Sequence, residues 1–242
     1  MTTNPTPLQL ARAVTVVSGG PLLLALSSAA APVAAVRRWP ARCRRPAARR
    51  TAWAVTGAGL AAPWVYAVLV RPWLQHWGAT EEEQRRRLPG DGPARPLSTT
   101  TRAVTVHAPA ESVWRWLVQI GQDRGGFYSY DWLENLAGCR LRTATRVHPE
   151  WQEVRPGDPL TLFPGVATRF AAVEPPHALV IEGWGAYVIE PDGDGGCRLI
   201  ARSHVDREPR ALAYYLGIEL PHAVMERRML LGIKQRAENL PL

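Results

Sequence analysis

Hydrophobic positions follow two different patterns along the chain. Up to about residue 76 they form long uncharged stretches, 24 residues between Arg12 and Arg37 and 20 between Arg50 and Arg71. A helix rising about 1.5 Å per residue crosses a ~30 Å hydrocarbon layer in roughly 20 residues. The pattern therefore predicts two transmembrane helices, at about 13–36 and 52–70. Trp39, Trp53, Trp73 and Trp77 fall near the predicted ends, where indoles favour the interface. Ala54, Ala58 and Ala62 recur every four residues and give the second helix a small-residue face for close packing. Pro21, Pro32 and Pro63 are tolerated in lipid, where neighbouring helices re-satisfy the freed backbone groups.

Past residue 77 the period changes. The segment G-A-T-E-E-E-Q-R-R-R-L-P-G-D-G-P-A-R-P (78–96) mixes charge blocks with proline and glycine and reads as an exposed tether. T-T-R-A-V-T-V-H-A-P (100–109) then alternates, with Val104 and Val106 on one face, predicting a strand. Pro109 opens a helix over A-E-S-V-W-R-W-L-V-Q-I-G that Gly121 closes. Its apolar residues cover much of its girth, so burial on more than one side is expected. Strand-like runs follow at 159–163, 168–174, 178–184, 186–190 and 197–205, separated by P-G, P-P and P-D-G-D-G-G turns. In the last run Leu199, Ala201, Ser203 and Val205 face one way and Arg198, Arg202 and His204 the other. One covered and one wet face suit an antiparallel sheet. Residues 211–238 read as a long helix that Pro221 should kink, with Ile218, His222, Met225, Met229 and Ile233 on one face.

Charge sharpens this division. The 242-residue chain is 46% apolar, enough for one core plus a membrane segment, and carries a formal charge of +8. Residues 1–76 hold nine arginines and no acid, whereas residues 77–242 hold 20 Lys+Arg against 21 Asp+Glu. The larger part is thus near neutral and lacks the basic footprint of a nucleic-acid binder. Seven of the nine arginines crowd into R-R-W-P-A-R-C-R-R-P-A-A-R-R (37–50). The positive-inside rule places this hinge in the cytosol, and with it both termini and the soluble domain outside. Contact with anionic lipid is role enough for the hinge. A cleaved signal peptide ending in 22–31 is the competing reading, and it would require seven arginines to be translocated.

Lys234 is the only lysine beside 28 arginines, as expected of a GC-rich genome, so Schiff-base chemistry would have to run through it. Cys43, Cys139 and Cys197 show no zinc spacing and read as small apolar residues; a Cys139–Cys197 bridge stays open for a domain outside the cytosol.

Three separated motifs carry a family resemblance. They are V-W-R-W-L-V-Q-I-G (113–121), R-G-G-F-Y-S-Y-D-W-L-E-N (124–135) and M-E-R-R-M-L-L-G-I-K (225–234). With the order strand, helix pair, antiparallel meander and long terminal helix, the chain from about Trp77 to Leu240 resembles the SRPBCC superfamily. This is the START-like or helix-grip fold shared with birch-pollen-type allergens and polyketide cyclases. More narrowly it resembles an actinobacterial, membrane-anchored group. The resemblance implies an α+β domain, an antiparallel curved sheet wrapped on a long C-terminal helix with a cavity between them. The domain plan is then an anchor over 1–76, a linker over 77–99 and an SRPBCC domain over 100–242.

Candidate chemistry concentrates in the second motif. Asp131 and Glu134 have the spacing of a capping box, and equally of an acid–base pair. Arg124 can bind an anionic headgroup or tie down its own loop. Tyr128, Tyr130 and Trp132 alternate, which suits either core packing or the mouth of an apolar pocket. Gln119, within an apolar helix face, needs a polar partner if it points inward. His222 and Glu226 lie one turn apart without a recognisable third metal ligand, and Met225 and Met229 offer a deformable apolar wall. The cavity that the resemblance implies would be lined by these residues together with Trp116, Phe163, Trp184 and Tyr187. No G-x-S-x-G, Walker A or G-x-G-x-x-G occurs, and D-G-D-G-G (192–196) fails as a calcium loop, so no cofactor or metal is expected.

The sequence thus reads as a two-pass bacterial membrane protein whose outer domain binds a hydrophobic or amphipathic, lipid-like small molecule. A cyclase- or dehydratase-like enzyme using Arg124, Tyr128, Asp131 or His222 is one alternative. A non-catalytic interaction or regulatory domain is the other.

Overall fold

The computed structural model describes residues 64–92, 96–136, 138–205 and 218–239, with positions 54, 57, 58 and 61. The predicted span 13–36, the arginine hinge, part of the span 52–70 and residues 211–217 of the last helical stretch lie outside the described residues. Among the described residues no helix is long and apolar enough to cross a membrane.

Six strands, β1 (Ser98–Val106), β2 (Pro159–Phe163), β3 (Val166–Glu174), β4 (Ala178–Ile181), β5 (Gly185–Pro191) and β6 (Cys197–Val205), form one antiparallel sheet in the order β1-β6-β5-β4-β3-β2. The meander β2–β6 arises because each apolar run ends in a turn signal. D-G-D-G-G closes the last hairpin, with the Asp192 N–H bonded to the Gly196 carbonyl. β4 stops three residues before the predicted end, because the Trp184 N–H turns back to the Ile181 carbonyl.

Among the described residues five α-helices accompany this sheet: α1 (Arg71–Gln75), α2 (Glu81–Arg85), α3 (Ala110–Leu117), α4 (Asp131–Leu136) and α5 (Glu219–Glu238). α5 packs on β1 and on α3, and α3 reaches β5. Between them and the sheet lies a core built on Val106, Leu117, Ile120, Leu160, Phe170, Leu179, Ile189, Leu199, Leu230 and Ile233. β1 and β6 supply it at every second residue, as the pleat requires.

The outer face of the sheet departs from expectation, because it is not wet. The stretch predicted to be an exposed tether docks across it. Thr80 and Glu83 form a capping box at the start of α2: the Thr80 hydroxyl accepts the Glu83 N–H at 3.2 Å, and the Glu83 carboxylate accepts the Thr80 N–H at 2.7 Å. Buried Arg202 donates to the Glu83, Gln84 and Arg86 carbonyls, which closes the far end of α2, and to Asp91 at 2.7 Å. Arg198 pairs with Glu83 at 2.7 Å. Burial is the largest influence and would raise the Glu83 carboxyl, but the Arg198 hydrogen bond and charge together with the Thr80 hydrogen bonds outweigh it and the value falls. Leu88 completes a second apolar cluster with Ala103, Val180, Ala186, Val188 and Ile200. Residues 79–91 therefore pack on the sheet and do not form an exposed tether.

The last helix is described from Glu219, with Pro221 in its first turn; residues 211–217, on which the expected kink depends, lie outside the described residues. Two further expectations are corrected. Ile218, placed on the apolar face, is exposed. Cys139 and Cys197 are both buried free thiols, so no bridge joins them.

Gly232 fixes how closely α5 approaches the second motif. A Cβ built there would stand 2.5 Å from the Tyr128 carbonyl oxygen and 3.0 Å from the Tyr128 Cβ. Alanine gains about 1 kcal/mol of helix propensity over glycine, yet here it must push backbone aside, an overpacking cost of about 1–3 kcal/mol. Gly232→Ala is expected to lower stability overall, measured by urea unfolding of the full chain in detergent. Greater stability would mean that the Tyr128 loop is not seated on the helix.

Candidate functional site

The pairing register carries one row of side chains toward α5: Arg102 opposite Ala201, and Ala201 opposite Tyr187. Thr100 pairs with Ser203 on the same face. α5 meets this row with His222, Glu226 and Met229, one turn apart along one stripe. The result is a buried polar cluster in an apolar interior. Arg102, fully buried, forms an ion pair with Glu226 through Nη1 and donates from Nε to the Leu74 carbonyl at 2.7 Å. Glu226 also accepts from the Ser203 hydroxyl at 3.4 Å, and His222 Nε2 lies 3.5 Å from the same carboxylate. The His222 ring stands edge-on to half-buried Trp184, with centroids 4.8 Å apart. The Tyr187 hydroxyl rests 3.6 Å from the Met229 sulfur.

Charge in this interior is strongly coupled. Burial pushes the Glu226 carboxyl up, but Arg102 and then His222 outweigh it and hold the group well below the usual carboxylate range. Burial, followed by the Glu226 charge, raises the Tyr187 hydroxyl. Arg102 Nη2 and Trp116 Nε1 are buried donors with no hydrogen-bond partner. A native interior seldom leaves such groups bare, since each costs about 1–3 kcal/mol.

The second motif lies on another flank of α5. Gly121 and Gly126 bridge to each other, and Gly126 takes φ +73°, a left-handed conformation that makes the reversal between α3 and the motif. Gln119 is buried and satisfied: Nε2 donates to the Tyr128 hydroxyl at 2.8 Å and the Arg146 carbonyl at 3.2 Å, and Oε1 accepts the His148 N–H at 3.0 Å. Arg124 donates to the Trp151 carbonyl at 2.6 Å, so it ties down its own loop. Tyr128 is buried edge-on to Trp116 at 5.8 Å, and burial raises its hydroxyl. Ser129 donates to the Met225 carbonyl at 3.1 Å, seating the loop on α5.

Asp131 and Glu134 do not form a capping box. The Asp131 carboxylate accepts the Thr143 N–H at 3.0 Å and the Thr143 hydroxyl, while the Tyr130 carbonyl receives the Leu133 and Glu134 N–H groups that start α4. Glu134 is buried with neither oxygen bonded, and burial, then the Asp131 charge, raises its carboxyl to about 7.

Tyr128, Ser129, Tyr130, Asp131, Trp132 and Thr143 join Arg228 and Arg236 around an open groove of about 430 Å³. No strand residue lines it, so these aromatics do not meet Trp184, Tyr187, His222 and Met229 at one surface. Phe163, at the end of β2, and Met225 are half-buried. The four candidate proton handlers do not converge either: Arg124 is on Trp151, Tyr128 on Gln119, Asp131 on Thr143 and His222 beside Trp184 and Glu226. Lys234 donates to the Thr105 carbonyl at 2.7 Å and ties α5 to β1. Among the described residues no group of three or more His, Cys, Asp or Glu side chains could hold a metal ion.

No family model and no curated protein matches the chain. Several solved structures are similar to it, three of which follow. Protein Ms6760 from Mycobacterium smegmatis is 16% identical over 60% of this chain and 93% of its own, with a TM-score of 0.36. The Polyketide_cyc-like protein Cgl2372 from Corynebacterium glutamicum is 15% identical over 60% and 92%, with a TM-score of 0.30. The protein encoded by BPP1335 from Bordetella parapertussis is 16% identical over 63% and 91%, with a TM-score of 0.32. Strand order and the terminal helix on the inner face are the arrangement that the motif resemblance implies.

The fold is α+β, one antiparallel sheet with a long C-terminal helix against its inner face. Between sheet and helix the central residue is Arg102. Sequence reasoning passed over it, because 28 arginines made each one look like surface. The signal that could have found it is phase: Arg102 shares the inward parity of Val104 and Val106, where a charge needs a partner.

Proposed function

We propose that the chain is a membrane-tethered helix-grip domain that binds a hydrophobic or amphipathic, lipid-like small molecule between the sheet and α5. The carrying observation is fully buried Arg102, which has one Nη without a partner inside the polar cluster of an apolar interior. An oxygen at the head of a lipid-like molecule would complete that hydrogen bond. The apolar body would lie against Tyr187, Met229 and the half-buried Trp184, Val173 and Leu162, which pack at the margin of the core. A few convergent polar groups in an apolar lining are what orients a ligand in such sites. Tethering draws support from the helical turns leading into α1, where Trp64 is 74% and Trp73 56% exposed, with Val68 and Leu69 beside them. These residues continue the uncharged run 51–70, and indoles flanking such a run suit an interfacial position. The extracytoplasmic placement of the domain rests on the arginine hinge and is tested by an alkaline phosphatase fused to the C-terminus, which is active only outside the cytosol.

Native mass spectrometry of the full chain released from detergent tests the binding reading. The expected result is a retained lipid-like adduct whose occupancy falls at least fivefold in His222→Ala. A wild-type chain that carries no adduct, in preparations from its own membranes, overturns it.

A further inference from the structure

The groove on the flank of α5 is not part of the inner-face site, and its chemistry is different. Arg228 and Arg236 line it two turns apart, about 12 Å along the helix. Among the described residues no carboxylate lies within ion-pair distance of either guanidinium. Arg228 has only a ring contact, to Tyr130, 5.9 Å from its centroid. Arg236 is fixed more firmly. It donates to the Ala144 carbonyl at 3.3 Å and the Gly232 carbonyl at 3.1 Å, and its guanidinium lies 4.8 Å from the Tyr128 ring centroid and 5.8 Å from that of Trp116. Asp131 is the one carboxylate in the lining, and it is already engaged by the Thr143 N–H and hydroxyl. Two guanidiniums against one carboxylate leave a net charge of +1 in a concave site.

An aromatic wall completes the groove. Tyr130 and Trp132 stand edge-to-face at 6.5 Å, and Trp132 is 66% exposed. An indole so exposed, beside a cation that has no counter-charge, offers a stacking surface next to an anion site.

We propose that this groove is a second binding site, for an oxyanion (a phosphate ester or carboxylate) carried on a flat or apolar body. Arg228 binds the anion, Arg236 adds a fixed positive charge behind it, and Trp132 with Tyr130 packs the body. A free aryl acid and the headgroup region of an anionic lipid present the same chemistry, so the experiment separates the two sources.

The test uses the full chain in nanodiscs of neutral phosphatidylcholine, titrated calorimetrically with phenyl phosphate. Expected is saturable binding, weakened about tenfold in Arg228→Gln, because a charge-assisted hydrogen bond is lost. Trp132→Ala is expected to weaken it about threefold, and uncharged phenol should show no saturation over the same range. Both substituted side chains are at the surface, and circular dichroism identical to wild type excludes misfolding as the cause. Repeating the titration in discs that contain phosphatidylglycerol identifies the source. Weaker apparent binding there means that anionic lipid competes for the groove, and unchanged binding means that the site serves a soluble acid. Absence of saturable binding, equal binding of phenol, or wild-type affinity in Arg228→Gln overturns the proposal.

Discussion

Arg102→Met is expected to destabilise the protein by about 3–5 kcal/mol at pH 7, the cost of leaving a buried charge unpaired. Three contacts go at once: the ion pair with Glu226, the hydrogen bond to the Leu74 carbonyl and the contact with Thr100. The double variant Arg102→Met, Glu226→Leu should recover most of that loss, because a buried pair replaced by apolar groups of similar volume is often neutral or better. The effect depends on pH with a definite sign. The Glu226 carboxyl is held below its ordinary value, so its stabilising contribution is full above the unfolded value of about 4.3 and is lost as pH falls through the folded one. In Arg102→Met the bare carboxyl takes up a proton, and the gap to wild type should therefore narrow on acidification. Urea unfolding of both variants at pH 7 and pH 4 measures this. A single variant within about 1 kcal/mol of wild type at pH 7 would show that the pair is open to water.

Glu134 predicts the opposite slope. Its folded carboxyl sits at about 7, raised by burial and by Asp131, against an unfolded value of about 4.3. Between these values the folded chain keeps a proton that the unfolded chain has released, so stability falls as pH rises through that window and levels off above it. Glu134→Gln, neutral and of the same shape, removes the dependence. It is expected to match wild type near pH 4 and to exceed it by about 3–4 kcal/mol at pH 8. Chemical unfolding across pH 4–8 checks both limbs. A wild-type profile that is flat over this range would mean that the carboxyl finds water or a partner.

The strands of the meander were legible because each is a short apolar run bounded by glycine or proline. Those are local signals, and the structure moved their ends by only a few residues. The outer face was not legible in the same way. Arg198 and Arg202 look solvent-directed in a strand read alone, and E-E-E-Q-R-R-R looks like a tether. Only the fold brings α2 over those arginines, so that one covers the other. Asp131 and Glu134 illustrate the converse. Their spacing matches a capping box, but Thr143 lies close enough in space to take Asp131 away from the helix end. The groove is less legible still, since Arg228 and Arg236 join a loop about a hundred positions earlier in the chain.

Glu219, at the first turn of α5, accepts from Arg71 Nε at 2.9 Å and from Gln75 Nε2 at 2.9 Å. The rod that enters from residue 64 is thereby bolted to α5, and Leu74 just inside it touches Arg102. A tilt or screw motion of the rod would be transmitted as torque to the Arg102–Glu226 pair.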